Sequence, residues 1–137
     1  MKFDTRAPCS TCPYRKDVPV GTWHRSEFER LLKDDADPAR GAVFGCHKGK
    51  SLTSARLQVC GGWLLDQKKR GVPSIGFRMD MIRNPAAGEA IDKITSGGHP
   101  VYSSIAAMCK ANGVRVKPRR RMNTAAVIRA MLKGEKP

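Results

Sequence analysis

The chain has 137 residues, and its 26 Lys plus Arg against 12 Asp plus Glu give a formal net charge of +14. This length suits a single domain, and with aromatic residues at 6% the core contains few large rings. No apolar run approaches the roughly 20 residues of a membrane span, and no signal-peptide pattern opens the chain. These features exclude a transmembrane protein, a secreted disulfide scaffold and a large multidomain enzyme, and we expect a cytoplasmic protein.

The first half of the chain is predicted to be rich in loops. Prolines and a glycine interrupt any periodicity over residues 1–22. The pattern around Ser26 and Glu29 fits a capping box, which predicts a helix over residues 27–35 with Ser26 as its N-cap. The apolar residues 42–44 then predict at most one short β element.

The second half is predicted to be helical. A helix that begins at Trp63 should end at Gly71, after basic residues that suit its C-terminal dipole. Residues 75–82 fit both strand alternation and a helical stripe, so their structure stays open at this point. Further helices are expected at 85–95, at 103–111, and after an N-cap at Asn123 or Thr124. The predicted fold class is therefore a mostly α, loop-rich, small metal-stabilised domain with one short β element and a basic C-terminal extension.

The positive charge is concentrated at the C-terminus. From Lys110 onward the chain has nine basic residues and one acidic residue. We divide the chain into a cysteine-rich unit (1–71), a helical part of the same domain (72–113) and a basic tail with a terminal helix (114–137). Such a field attracts polyanions, above all nucleic acid, although a merely solvated tail is the alternative. The residues expected to contact phosphates are Arg115, Lys117, Arg119, Arg120 and Arg121.

Four of the five cysteines have the arrangement of a metal site. Cys9 and Cys12 are separated by two residues, and Cys46 and Cys60 each lie in a glycine-rich segment. The odd number of cysteines argues for a reducing compartment and against disulfides. We expect the four thiolates to bind one centre, whereas Cys109 lies on an apolar helix face and should be a buried core thiol.

The spacing leaves the identity of the metal open. One close pair with two isolated cysteines favours a [4Fe-4S] cluster, and Pro13 removes a backbone N–H that a zinc site often uses. A structural Zn²⁺ is the alternative cofactor. His47, beside Cys46, is the alternative ligand in a site of three cysteines and one histidine, or a hydrogen-bond donor to a ligand.

The residues around the cysteines add two further interpretations. Trp23 and Trp63 are expected to exclude water from the centre, with base stacking as the alternative. The neighbouring cations either form a basic patch, lower the thiol pKa values or are solvated loop charges. These cations are Arg15, Lys16, Lys48, Lys50 and Arg56.

Three ordered motifs resemble one known family. They are Pro8-Cys9-Ser10-Thr11-Cys12-Pro13-Tyr14-Arg15, Phe44-Gly45-Cys46-His47 and Cys60-Gly61-Gly62-Trp63. Together they resemble a small family of uncharacterised phage and bacterial proteins, known as a domain of unknown function, over about residues 7–65. The resemblance implies no activity, but it implies that the motif cysteines, His47 and Trp63 belong to one unit.

The sequence thus favours a metal-centred basic protein that binds nucleic acid or a nucleoprotein complex, of phage or mobile-element origin. One alternative is an enzyme or redox sensor that uses an iron–sulfur cluster or a thiolate. The other is an interaction module that binds a host or phage complex through its last helix. No constellation of general acid and base is evident, so the sequence leans away from an enzyme.

Overall fold

The computed structural model describes residues 1–36, 43–49, 53, 55–118 and 124–134. Within these residues the protein consists of six α-helices and one short 3-10 helix, without a regular strand. This architecture confirms the mostly α fold class that the sequence predicts. The helices are α1 (Arg25–Ala36), α2 (Gly61–Arg70), α3 (Ile75–Arg83), α4 (Pro85–Lys93), α5 (Ile105–Ala111) and α6 (Thr124–Leu132), and the 3-10 helix is His47–Gly49.

Helix α2 lies at the centre of the core. Its first seven residues, 61–67, are all buried, and the helix packs against α4, while α4 packs on α3 and α5 packs on α1. The Trp63 ring is 1% exposed and makes edge-on contacts with Phe44 and Phe77 at centroid distances of 5.5 and 5.9 Å. Because this geometry is favourable for aromatic pairs, the residues just after Cys60 are anchored firmly in the core.

Short polar side chains fix the starts of three helices. Ser74, Asn84 and Ser104 each accept a backbone N–H from the first turn of α3, α4 and α5, respectively. The cap at Ser74 resolves the ambiguity over residues 75–82, which form a helix with Phe77 buried. The apolar side chains of Ile75, Met79 and Ile82, on the face of α3 opposite Phe77, stay exposed. Because α3 carries apolar residues on both faces, its sequence also shows the alternation typical of a strand.

The capping box predicted at the start of α1 is wrong. The helix begins at Arg25, so that Ser26 lies inside its first turn. The Nδ1 atom of His24 accepts the backbone N–H of Ser26 at 3.2 Å, and Glu29 pairs with Arg25 at 2.9 Å. An imidazole has thus taken the capping role that the sequence pattern assigned to Ser26, and the helix itself is confirmed.

Other predicted helix ends are close to the observed ones. Helix α2 begins two residues before Trp63 and ends, as predicted, at Gly71, whose φ of +77° is a left-handed C-cap. Helix α4 ends at Lys93, two residues earlier than predicted. Helix α6 begins at Thr124, so that Thr124 is its first residue, while Asn123, the other predicted cap, lies outside the described residues.

The N-terminal loop is held to the rest of the protein by backbone hydrogen bonds. Lys16 N–H donates to the carbonyl of Pro100 at 2.8 Å, and Tyr102 N–H donates to the carbonyl of Tyr14 at 3.0 Å. These bonds flank an isolated antiparallel bridge between Arg15 and Val101. Residues 1–24 are thus fixed without a regular helix or strand, as the prolines predict.

Among the described helices, none combines the length and the apolar character needed to cross a bilayer. Helix α6 leaves Ile128, Met131 and Leu132 exposed, at 51%, 64% and 83%. Its apolar face therefore lies outside the main core.

Candidate metal centre

Two successive turns in the N-terminal loop position the first pair of cysteines. Cys12 N–H donates to the carbonyl of Cys9 at 3.1 Å, and Arg15 N–H donates to the carbonyl of Cys12 at 3.1 Å. The guanidinium of Arg15 also donates to the Cys9 carbonyl, at 3.3 Å, and pairs with Asp17. The loop is thereby tightly wound around the two sulfur atoms.

A short antiparallel contact positions the other two cysteines. Cys46 N–H donates to the carbonyl of Gln58, and Cys60 N–H donates to the carbonyl of Phe44, each at 2.7 Å. An isolated bridge joins Gly45 to Val59 between these two bonds. Val43 and Phe44, the described part of the apolar stretch, are therefore not in a strand, and the bridge at Gly45 brings the Cys46 segment beside Cys60.

Close backbone approach brings α2 against the N-terminal loop. Cys60 is the N-cap of α2, and a Cβ added at Gly62 would lie 2.5 Å from Cys12 Sγ and 2.6 Å from Tyr14 Cβ. A Cβ at Gly61 would lie 2.5 Å from the carbonyl oxygen of Ala7. Only glycine permits these distances, so the Gly-Gly step is what lets the helix start at the cysteine cluster.

The sulfur atoms fall into two interacting pairs. A hydrogen bond from the Cys60 thiol lowers the pKa of Cys12, and that same bond together with burial raises the pKa of Cys60 well above its ordinary value. Burial also raises the pKa of Cys46, whose thiol contacts that of Cys9. Four neighbouring thiols in such surroundings resist joint ionisation, and a bound cation reverses this preference because coordinating thiols lose their protons.

Backbone N–H groups act on the pKa of three of the four cysteines. Those of Tyr14 and Gly62 lower the pKa of Cys12, and those of Lys48 and Trp63 limit the rise in the pKa of Cys46 and Cys60, respectively. In each case the N–H favours the thiolate form of the cysteine. Pro13 lacks an N–H, but that of Tyr14 favours the Cys12 thiolate in its place, which removes the objection to zinc drawn from Pro13.

A histidine lies directly beside one of the pairs. The ligand atoms of Cys9, Cys46 and His47 are all within 4.8 Å of one another, and this trio has the geometry of a metal-binding group. His47 Nε2 hydrogen-bonds with Thr11 Oγ1 at 3.2 Å, and its ring contacts Trp23 at a centroid distance of 3.9 Å. Thr11, which nothing in its sequence context distinguishes, thus helps to orient the imidazole.

The two tryptophans occupy different environments. Trp63 is buried in the core, whereas Trp23 is half-buried and donates its indole N–H to the carbonyl of Thr11 at 3.0 Å. The Trp23 ring lies against His47, in the cysteine region, whereas the Trp63 ring packs against Phe44 and Phe77. Sequence reasoning missed an apolar cleft beside Trp23, because its walls come from segments that are distant in the chain.

The fifth cysteine lies apart from the cluster. Cys109 is fully buried on α5, and its thiol donates to the carbonyl of Phe28 at 3.7 Å across the contact with α1. Burial raises its pKa to about 11. These surroundings are those expected of a core thiol.

The basic tail begins as an extended segment. Val114 and Val116 are turned toward the core, while Arg115 and Lys117 are exposed between and beyond them. Buried or half-buried side chains and exposed ones thus alternate over residues 114–117, the pattern of an extended chain. The three remaining predicted phosphate contacts, Arg119, Arg120 and Arg121, lie outside the described residues.

The fold and the cysteine–histidine group define a small helical protein with a candidate metal-binding site. The chain belongs to a family of unknown function (DUF6283), whose profile matches residues 4–128. This match includes all of the cysteines and extends well beyond the motifs that first suggested the resemblance. No curated protein and no solved structure shows a significant match. The family description assigns no activity and no source, so the phage association stays a prediction.

Proposed function

We propose that this protein is a zinc-centred nucleic-acid-binding protein, in which the metal holds the loops together and the basic surface binds phosphates. The observation that carries the metal site is the group of Cys9, Cys46 and His47, whose ligand atoms all lie within 4.8 Å of one another. Cys12 and Cys60 form a second interacting pair of thiols, and backbone N–H groups that favour the thiolate form act on Cys12, Cys46 and Cys60.

The separations between the ligand atoms of Cys9, Cys46 and His47 suit a single ion, and Cys12 and Cys60 lie outside this group. Zn–S bonds of about 2.3 Å in a tetrahedron place the sulfur atoms roughly 3.8 Å apart. Cys9 and Cys46 lie within 4.8 Å of each other, and the thiols of Cys12 and Cys60 interact strongly enough to shift each other's pKa. A [4Fe-4S] cluster must fit four irons between its ligands and needs wider spacing, so zinc is favoured over the cluster that the sequence spacing suggested.

Four thiolates are the proposed ligand set, with His47 as a neighbour of the ion. The imidazole is held by Thr11 and Trp23 on the side of Cys9 and Cys46. From there a ring N–H can donate to a thiolate and stabilise its charge. Replacement of one sulfur by His47 gives the alternative set.

Elemental analysis of anaerobically purified protein tests the metal. We expect one zinc per chain and a colourless protein, whereas iron with sulfide and broad visible absorption would establish the cluster instead. Replacing Cys12 or Cys60 by Ser should release the metal and unfold the N-terminal half, because binding energy in such sites is folding energy.

A matched control and the remaining ligands complete this test. Cys109→Ser should keep its metal, since that thiol lies apart from the cluster. Cys46→Ser and His47→Ala separate the two ligand sets. Retained stoichiometric zinc in Cys46→Ser would refute the four-cysteine site.

The charge supports the nucleic-acid part of the proposal. The net charge of +14 is large for 137 residues, and Arg115 and Lys117 are exposed on an extended segment anchored to the core by Val114 and Val116. Extended cationic segments contact phosphates and release counterions without reading bases.

Salt dependence of binding to duplex DNA tests this part. Replacing both Arg115 and Lys117 by Ala should lower the salt slope by up to about 1.8, at roughly 0.9 per phosphate contact. The control is the double variant Arg25→Ala with Lys93→Ala, which removes the same charge from exposed sites on α1 and α4. Equal slopes for the two variants would show that the tail makes no specific phosphate contacts.

A further inference from the structure

An apolar cleft of about 200 Å³ lies between α1 and the segment that carries Cys46. Its lining includes the buried side chains of Tyr14 and Phe28, which are 4% and 1% exposed, and the half-buried rings of Trp23 and Phe44. An apolar cavity of about 150 Å³ is enough to hold benzene. The cleft therefore has room for one planar ring system and not for a large ligand.

The lining of the cleft also includes a charged pair. Glu27 and Arg30, on successive turns of α1, form an ion pair at 2.9 Å, and their side chains are 31% and 64% exposed. The carboxylate accepts hydrogen bonds and the guanidinium donates them. A ring with both donors and acceptors along its edge suits this pair, whereas a purely apolar ring leaves it unused.

The chain on one side of the cleft is basic. The described residues 43–49 and 55–65, which include the Cys46 side of the cleft, contain two basic residues and no acidic one. Among the described residues, Lys48 follows the cleft residue His47, and Arg56 precedes the cleft residue Leu57. Cations beside an aromatic cleft are the combination that binds single-stranded nucleic acids, since the cations contact phosphates and the rings stack on bases.

We propose that this cleft binds one unpaired nucleobase of a single-stranded nucleic acid, with the ring among the aromatic side chains and its edge at Glu27 and Arg30. The inference rests on the nucleic-acid binding proposed above and adds a contact to a base. Bases in a duplex are stacked and paired, so the contact requires a single strand or a flipped nucleotide.

The test compares two labelled oligonucleotides that differ only in their bases. Fluorescence anisotropy with the full-length, metal-containing protein measures affinity for oligothymidylate of about 12 nucleotides and for an abasic strand with the same number of phosphates. We expect oligothymidylate to bind at least about fivefold more tightly at the same salt concentration, the smallest effect typical of one stacked base.

A cleft-filling variant assigns the difference to this site. Leu31→Trp places an indole into the cleft, and it should reduce the affinity for oligothymidylate to that for the abasic strand without changing the latter. Ala36→Trp is the control, because it adds the same side chain at an exposed position outside the cleft. A preference for bases that survives in Leu31→Trp would overturn the cleft as the base site.

The comparison of oligothymidylate with the abasic strand on the wild-type protein tests the proposal even if Leu31→Trp fails to fold. Equal affinity for the two strands would overturn base binding and leave the phosphate contacts standing. Absence of binding to both strands and to duplex DNA at low salt would overturn the nucleic-acid function and the base site together. Neither result would affect the metal site.

Discussion

The contact between Gly62 and Cys12 allows the packing at the candidate metal centre to be tested by one methyl group. In Gly62→Ala the new Cβ would lie 2.5 Å from Cys12 Sγ and 2.6 Å from Tyr14 Cβ. Both distances are roughly 1 Å short of the optimum for non-bonded heavy atoms. Tyr14 is 4% exposed and Cys12 is 1% exposed, so neither can move without disturbing the core.

The size of the effect follows from two opposing terms. Alanine gains up to about 1 kcal/mol over glycine in a helix, whereas overpacking of a tight core costs about 1–3 kcal/mol. We expect the cost to prevail, because the crowded atoms lie on a buried, hydrogen-bonded loop. At roughly 4 °C per kcal/mol for a domain of this size, the net loss amounts to a fall in Tm of up to about 8 °C.

Thermal unfolding measures the stability term, and competition with a chelator measures the zinc affinity. Displacement of Cys12 should lower the zinc affinity by about 10- to 100-fold, the range typical of changes just outside a metal's ligands. Gly88→Ala is the matched control: it also adds a methyl group to a helical glycine, but the nearest atom is a Met81 methyl at 4.0 Å. We expect that variant to be as stable as wild type or up to about 1 kcal/mol more stable.

One outcome would refute the reasoning about Gly62. If Gly62→Ala and Gly88→Ala had the same Tm and the same zinc affinity, the close approach of α2 to the cysteine loop would not be a feature of the folded protein. If Gly62→Ala lost stability but kept the zinc affinity of wild type, the close packing at Gly62 would matter for folding and not for metal binding.

Three other predictions concern pH and helix capping. Burial raises the pKa of Asp66 despite its pairing with Arg70, so the ionised carboxylate lowers the stability of the folded protein at pH values above this pKa. Asp66→Asn should therefore be at least as stable as wild type at pH 7, with the difference shrinking toward pH 3. A lower Tm of the variant at pH 7 would contradict this. Zinc affinity should fall by more than tenfold per pH unit below pH 7, because several thiolates take up protons on release; a zinc indicator dye measures it, and a pH-independent affinity would argue against thiolate ligands. Ser104→Ala should cost about 1 kcal/mol through loss of the α5 cap, whereas Ser103→Ala, one residue earlier, should change the free energy of unfolding by less than about 0.5 kcal/mol.

The sequence predicts the helices better than it predicts their caps. Apolar spacing is a local property, so α2, α4 and α5 were found within two residues of their observed bounds. Over residues 75–82 the strand period and the helix period fit the apolar residues equally well. Ser74, one residue earlier, is the N-cap of α3, and its side chain is the local feature that favours a helix. The prediction of Ser26 as N-cap was wrong because the capping-box pattern does not show that His24, two residues earlier, accepts the backbone N–H of Ser26.

The candidate site shows the same division between local and long-range information. The structure brings Cys9 and Cys46, two of the four motif cysteines, together with His47 and places Cys109 apart in the core, while the four-cysteine ligand set that the spacing suggests stays a prediction. The spacing gave no sign of the contact between Thr11 and His47, which are 36 residues apart. The apolar cleft could not be predicted from the sequence either, because its lining residues Trp23, Phe28 and Leu57 are distant in the chain and come together only in the folded protein.

The start of α2 joins the cysteine cluster to the core. Cys60 caps this helix, and Trp63, three residues later, is 1% exposed in the centre of the core. Residues 1–24 contribute no regular secondary structure, so they depend on the core and on the cluster to stay ordered. A metal ion bound by three segments would replace the apolar area that these loops do not bury, because its binding energy enters the free energy of folding. Loss of the metal should then loosen the loops around Cys9 and Cys46 before α3 and α4, which pack against each other.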